Sequence, residues 1–247
     1  MIPMETEKEV VHSLDEFLRR ATDIASAPGE WLFRGHKDRS WPLRPGIARV
    51  TPLNGSLELT ERRLLFEFKR VARPYVLQPA VSDWDFLALA QHHGIPTRLL
   101  DWTSNPMAAL YFAIEEEWPH RSVVWCYRCD RAPVAEEVDP LTVQKIGFFR
   151  PPHISPRISG QAGYFTVHPA PFNDLKARGD SDETLKQLII RRRDRPKFRR
   201  ELDRIGVNRA SLFPDIDGIA QYLKWANCRM HDEVDRRSTF EDFEESI

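Results

Sequence analysis

This chain is poor in cysteine and has no long apolar run, and each lack narrows what it can be. Three Cys in 247 residues do not build a disulfide-stapled fold, so the expected setting is reduced and cytoplasmic. No apolar stretch approaches the roughly 20 residues that cross a bilayer, so no membrane partner is expected. The N-terminal MIPMETEKEV is acidic and has no apolar signal region. Internal repeats and low-complexity tracts are also missing. None of G-x-x-x-x-G-K-[ST], G-x-G-x-x-G, H-E-x-x-H or G-x-S-x-G occurs, which lowers the prospects of P-loop, Rossmann, zincin and α/β-hydrolase chemistry. Net charge is small, −1 with a pI near 6.7, and this argues against a dedicated duplex nucleic-acid binder.

What is present is a chain 41% apolar and 30% charged, enough for one sizeable core or two small ones. The near-zero net charge hides an asymmetry. Residues 191–204 hold seven Arg and one Lys against Asp194, Glu201 and Asp203, whereas residues 231–247 hold seven acidic residues against Arg236 and Arg237. The two segments can neutralise each other or meet different partners; the plain reading is a solvated helix face and a mobile tail.

Local signals divide the chain into helices and strands. Ser13 caps a helix running to Arg20, with Glu16 as its capping-box partner and Phe17 and Leu18 facing inward. Residues 57–71 read as a helix with Leu64, Leu65, Phe68 and Val71 on one side. Further helices are expected at 82–93, 106–118, 195–205 and 217–226, the last with Ile219, Tyr222, Leu223 and Trp225 packing. Gly206 ends the helix before it. Residues 122–127, 164–167 and 185–190 read as strands. The region of Pro140, Pro151, Pro152 and Pro156 reads as surface wrapping. The fold class is α+β: a single mixed domain with a small split or mostly antiparallel sheet flanked by helices. Its expected bounds are 13–230, after an N-terminal extension of residues 1–12 and before an acidic mobile tail at 231–247.

The most informative stretch is residues 87–113, LALAQHHGIPTRLLDWTSNPMAALYFA. Gly94 closes a helix, and residues 95–100 then read as a strand with Pro96 at its start. Asp101, Trp102 and Thr103 follow at its exit. Ser104 or Asn105 caps the next helix, with Pro106 in its first position. The amides of that helix start, beside Asp101, Thr103 and Arg98, offer a place for an anion. Upstream, the apolar strand Trp31-Leu-Phe ends in Arg34 and Gly35. His36, Arg39, Trp41 and Arg44 extend a cationic and aromatic loop suited to a phosphate, a nucleobase or an acidic partner. His92 and His93 end a helix where the macrodipole favours a cation, and substrate contact is the other reading. Cys126 and Cys129 form a lone C-x-x-C short of two zinc ligands, so buried thiols are expected and no metal.

Four segments carry a family resemblance: Phe33-Arg34-Gly35, residues 91–103 (QHHGIPTRLLDWT), residues 157–166 (RISGQAGYFT) and residues 211–218 (SLFPDIDG). Together, over residues 13–226, they resemble the FRG domain family of bacteria and phages. That family's layout is similar to that of ADP-ribosyltransferases. The resemblance implies that NAD is the substrate, with Arg34 holding a phosphate and Gly35 and His36 beside it. Thr103 and Ser104 would fix the nicotinamide half, and Trp102 or Tyr111 would stack on a ring. The superfamily usually places a Glu on a later strand to contact the ribose; here Gln161 stands in that region, and an amide orients a sugar but supplies no charge. Asp101 is the alternative carboxylate, or else a salt-bridge partner for Arg98 or Arg34. The implied function is an NAD-dependent ADP-ribosyltransferase or NAD glycohydrolase, suited to a toxin or phage-defence effector. A protein or nucleic acid would be the acceptor and an antitoxin a partner. The alternative is a non-catalytic nucleotide or nucleic-acid binding module, with residues 191–204 adding phosphate contacts.

Overall fold

Apolar residues follow one another in several of the strands, as at 31–33 and 123–127, because both faces of the sheet they build are covered, helices packing on one and loop residues on the other. The structure, a computed structural model, describes residues 7–75, 82–129, 133–135, 137–150, 163–175 and 184–228. Seven strands occur among them: β1 (Glu7–Val11), β2 (Glu30–His36), β3 (Leu99–Thr103), β4 (Ser122–Cys129), β5 (Gly147–Phe149), β6 (Gly163–Val167) and β7 (Thr184–Ile190). They form one mixed sheet in the order β1-β7-β4-β2-β3-β6-β5. Only β1 and β7 run parallel, and every other neighbour pair is antiparallel. The helices are α1 (Leu14–Ala25), α2 (Leu57–Ala72), α3 (Asp83–His92), α4 (Pro106–Ile114), α5 (Arg195–Arg204), α6 (Arg209–Leu212) and α7 (Ile216–Asn227). No helix among the described residues is long and apolar enough to cross a membrane.

The sheet is continuous on either side of its centre and nearly broken at it. β2 pairs with β4 along its whole length, from Glu30 to His36, but with β3 only through Phe33 opposite Thr103. Counting alternately from that pair, Asp101 and Leu99 share the face of Phe33. On this face α1, α4 and α5 pack over the β1-β7-β4-β2 half, burying Phe17, Trp31, Phe33, Leu188, Phe198 and Leu202. Helices α2 and α3 cover the other half through Leu65, Trp84 and Leu87 against Leu99, Phe149 and Phe165. The opposite face buries Leu32, Leu100, Trp102 and Tyr127 beneath loop residues Leu43 and Leu175.

Helix α4 is buried on every side, with Ala108, Ala109, Leu110 and Ala113 fully enclosed, as expected of a helix without a polar stripe. It stops at Ile114 rather than Trp118, where the acidic run Glu115, Glu116 and Glu117 begins. β3 starts at Leu99, later than the predicted 95–100, because the preceding backbone is already engaged. The Ile47 amide donates to the Thr97 carbonyl (3.0 Å), and the Arg98 amide donates to Glu61 Oε1 (2.7 Å). Asp101, Trp102 and Thr103 therefore lie within the strand and not at its exit.

Several inward assignments are corrected. Leu18 is 46% exposed, because Phe17, Ala21 and Ile24 form the buried stripe of α1 and Leu18 lies one residue out of phase. Val71 is exposed near the end of α2, and Ile219 and Leu223 are exposed on α7. The Glu16 carboxylate accepts from the His12 amide instead of completing a box with Ser13. Residues 7–11, assigned to an N-terminal extension, form edge strand β1 with Val11 fully buried. β5, a strand of three residues, carried no sequence signal. Gln161 and the tail at 231–247 lie outside the described residues.

Candidate functional site

Where β2 and β3 part, the sheet opens into a cleft of about 370 Å³. One wall holds Arg34 and His36 of β2, Asp101 of β3, Gln91 and His92 of α3, and Arg49 of a 3-10 turn (Gly46–Arg49). The other holds Phe112 of α4, Glu115 and Glu116 just beyond it, and Phe213 after α6. The absence of a side chain at Gly35 lets α4 sit against β2. A Cβ there would lie 2.0 Å from the Ala109 carbonyl oxygen and 2.6 Å from the Ala113 amide nitrogen. Gly35 thus borders the cleft, but its lack of a side chain serves helix packing.

Arg34 fills the gap between the strands. Its Nη1 donates to the Asp101 carbonyl oxygen at 2.7 Å and approaches Asp101 Oδ2 at 3.5 Å, while its Nε donates to His36 Nε2 at 2.9 Å. Nη2 has no hydrogen-bond partner among the described residues. Asp101 is oriented in turn by Gln91, whose Nε2 donates to Asp101 Oδ2 at 2.8 Å and whose Oε1 accepts from Thr97 Oγ1 at 2.7 Å. Burial lowers the pKa of Arg34; Asp101 opposes that shift and the charge of Arg49 adds to it. His36 is 4% exposed, and burial, with Arg34 and Arg49 nearby, pushes its pKa down to about 2. It is therefore a neutral acceptor, its proton on Nδ1, that aims the guanidinium.

Of the residues singled out from the sequence, Arg34, Gly35, His36, Asp101, Trp102 and Thr103 all line this cleft. Trp102 is not free to stack on a ligand: it is 3% exposed, lies 5.1 Å from the Tyr127 ring and donates through Nε1 to Thr166 Oγ1 (3.0 Å). Tyr111 faces away from the cleft, toward Arg199, Asp203 and Tyr222. Ser104 is exposed and outside the lining. The anion reading of the α4 start also fails. Asn105 Oδ1 accepts from the amides of Met107 (2.9 Å) and Ala108 (3.4 Å), and Thr103 Oγ1 accepts from the Asn105 amide (2.9 Å). Arg98 is buried away from the cleft, its Nη2 and Nε both donating to Glu61 Oε2, at 2.7 Å and 3.0 Å, so Asp101 serves Arg34 and not Arg98.

Sequence reasoning missed Arg49, Glu115 and Phe213 as cleft residues. Glu115 is held through Oε2 by Arg209 Nη1 at 2.9 Å, and Arg209 lies over the Phe213 ring at 4.6 Å. Burial raises the Glu115 pKa; Arg209 opposes the rise and Glu116 reinforces it. The acidic run after an apolar helix was the one available signal. The basic segment at 191–204 is partly structural. Arg195 is 5% exposed and donates to the carbonyls of Lys37 (2.7 Å), Trp118 (3.0 Å) and His120. Arg199 lies over Trp225 at 4.5 Å. Cys126 is buried within β4, and burial raises its thiol pKa.

These features define an α+β protein with a polar cleft at a break in its sheet. Residues 29–122 match the family model of the FRG domain, so the chain carries an FRG domain. The match runs from just before β2 to the start of β4 and includes Arg34, Arg49 and Asp101. No curated protein and no solved structure matches the chain.

Proposed function

We propose that the cleft binds NAD and that this protein is an NAD-consuming enzyme, an ADP-ribosyltransferase or NAD glycohydrolase. The observation that carries the reading is Arg34 at the break in the sheet, anchored by His36 and Asp101 with Nη2 unengaged among the described residues. A guanidinium fixed in this way is preorganised for a phosphate oxygen. Arg49 adds a second cation and Phe112 and Phe213 supply apolar rings. Asp101 and Glu115 line the same cleft, and their carboxylates support the reading because charge on a sugar needs balancing once nicotinamide leaves. In this reading a nucleophile from protein, nucleic acid or water takes the ADP-ribose, Gln161 helps to orient the ribose, and the role is that of a toxin or phage-defence effector restrained by an antitoxin.

The test is incubation of the purified chain with NAD, with and without cell lysate, following nicotinamide release and transfer of labelled ADP-ribose. Release suppressed by Arg34→Ala and reduced by Asp101→Ala supports the enzyme. NAD bound without release favours a nucleotide-binding module, and neither binding nor release ends the NAD reading.

A further inference from the structure

We propose that Arg34 and Arg49 act together as a clamp for a diphosphate, with Arg49 setting a preference for diphosphate-bearing ligands over monophosphates. Both side chains line the same cleft but are rooted on different elements, Arg34 on β2 and Arg49 at the end of the Gly46–Arg49 turn. Each guanidinium is anchored through part of its fork. Arg49 donates through Nε to the Arg44 carbonyl at 2.9 Å, and through Nη2 to the same oxygen. Its Nη1, like Nη2 of Arg34, has no hydrogen-bond partner among the described residues. Arg44 is braced in turn, its Nη2 donating to Asp174 Oδ2 at 3.2 Å. The chain from Asp174 through Arg44 to Arg49 thus aims the second cation, as His36 and Asp101 aim the first.

Charge favours the same ligand. Arg34 and Arg49 share one carboxylate, Asp101, and His36 beside them is neutral, so this wall carries surplus positive charge. The two cations repel each other, and an anion spanning them relieves that repulsion. A diphosphate presents oxygens to both forks at once, whereas a monophosphate fills one and leaves the other to water. The clamp rests on the NAD reading for its placement of a phosphorylated ligand in this cleft.

Titration calorimetry on the full chain, in magnesium-free buffer at fixed low salt, tests it. The probes are inorganic pyrophosphate against inorganic phosphate, ADP against AMP, and NAD. The wild type should bind pyrophosphate about tenfold tighter than phosphate, the yield of one added charge-assisted contact, with the same order for ADP over AMP. Arg49→Ala and the longer neutral Arg49→Gln should both reduce these ratios to about twofold or less while keeping the wild-type melting temperature. A ratio unchanged in both variants, or no preference in the wild type, overturns the clamp even if NAD binds. Arg49-dependent preference for pyrophosphate and ADP, with NAD neither binding nor competing, upholds the clamp and ends the NAD reading. Failure of every probe to bind overturns both.

Discussion

At Gly35 the backbones of β2 and α4 approach so closely that a methyl group would overlap the Ala109 carbonyl. Gly35→Ala should therefore destabilise the fold by about 2–3 kcal/mol through overpacking, measured as the urea unfolding free energy; a neutral result would show that α4 seats differently. The neighbouring Arg34 is only 16% exposed in its side chain, yet it lies at the cleft rather than in an apolar core. Arg34→Ala should remove phosphate binding while near-native melting is retained, and collapse of the fold would make the residue chiefly structural. Arg98 and Glu61 are a contrasting case, 3% and 1% exposed in their side chains and bonded at two points. Glu61→Ala leaves Arg98 as a buried cation without its partner, and should cost about 3–5 kcal/mol in the same unfolding measurement.

Among the elements, β1 has a larger part than its position suggests. It closes one side of the sheet by pairing in parallel with β7, register Glu7 to Lys186 through Val11 to Ile190. Removing residues 1–12 would bare the β7 edge and take away the buried Val11, so the truncated chain should melt at lower temperature and aggregate more readily. Light scattering during a thermal ramp checks this, and an unchanged profile would mean the edge needs no cover. At the other end of the sequence, α7 rests on its neighbours through Gly218 packed against Phe213 and Trp225 beneath Arg199. Its apolar positions Ile216, Ile219 and Leu223 therefore stay in solvent despite helical spacing.

For the whole molecule, two buried imidazoles set the response to acid. His36 and His168 are 4% and 0% exposed, and burial is the largest cause pushing them down to about 2 and about 4. An unfolded histidine titrates near 6.5. Between that value and the folded ones the unfolded chain binds protons that the native state refuses, so their contribution is full above about pH 6.5 and is lost as pH falls toward 4 and below. Asp38 adds a lower window with the same sign. Burial alone would raise its pKa, but hydrogen bonds from Ser40 and Trp118 hold it at about 2, against an ordinary 3.8. Urea midpoints at pH 8, 7, 6 and 5 should be level down to 7 and then fall, with a shallower fall in His36→Gln. Equal slopes in the variant and the wild type would show that His36 does not carry the effect.

By itself the sequence determined what depends on near neighbours. Ser13, Ser56, Ser82 and Asn105 each accept the amide bonds of a helix start, because a cap reaches only two or three residues along the chain. The runs that became β2, β4, β6 and β7 were legible from apolar and β-branched composition, and Arg34, Asp101 and Thr103 stood out as polar groups at apolar strands. Only the tertiary structure decided which of these groups meet. That β2 touches β3 at one pair, that Arg98 turns inward to Glu61, that β1 joins β7, and that Arg49 and Glu115 reach the cleft all depend on partners far apart in sequence. Burial and pairing of that kind follow from how whole faces pack, and local propensity carries no record of which distant face a segment will meet.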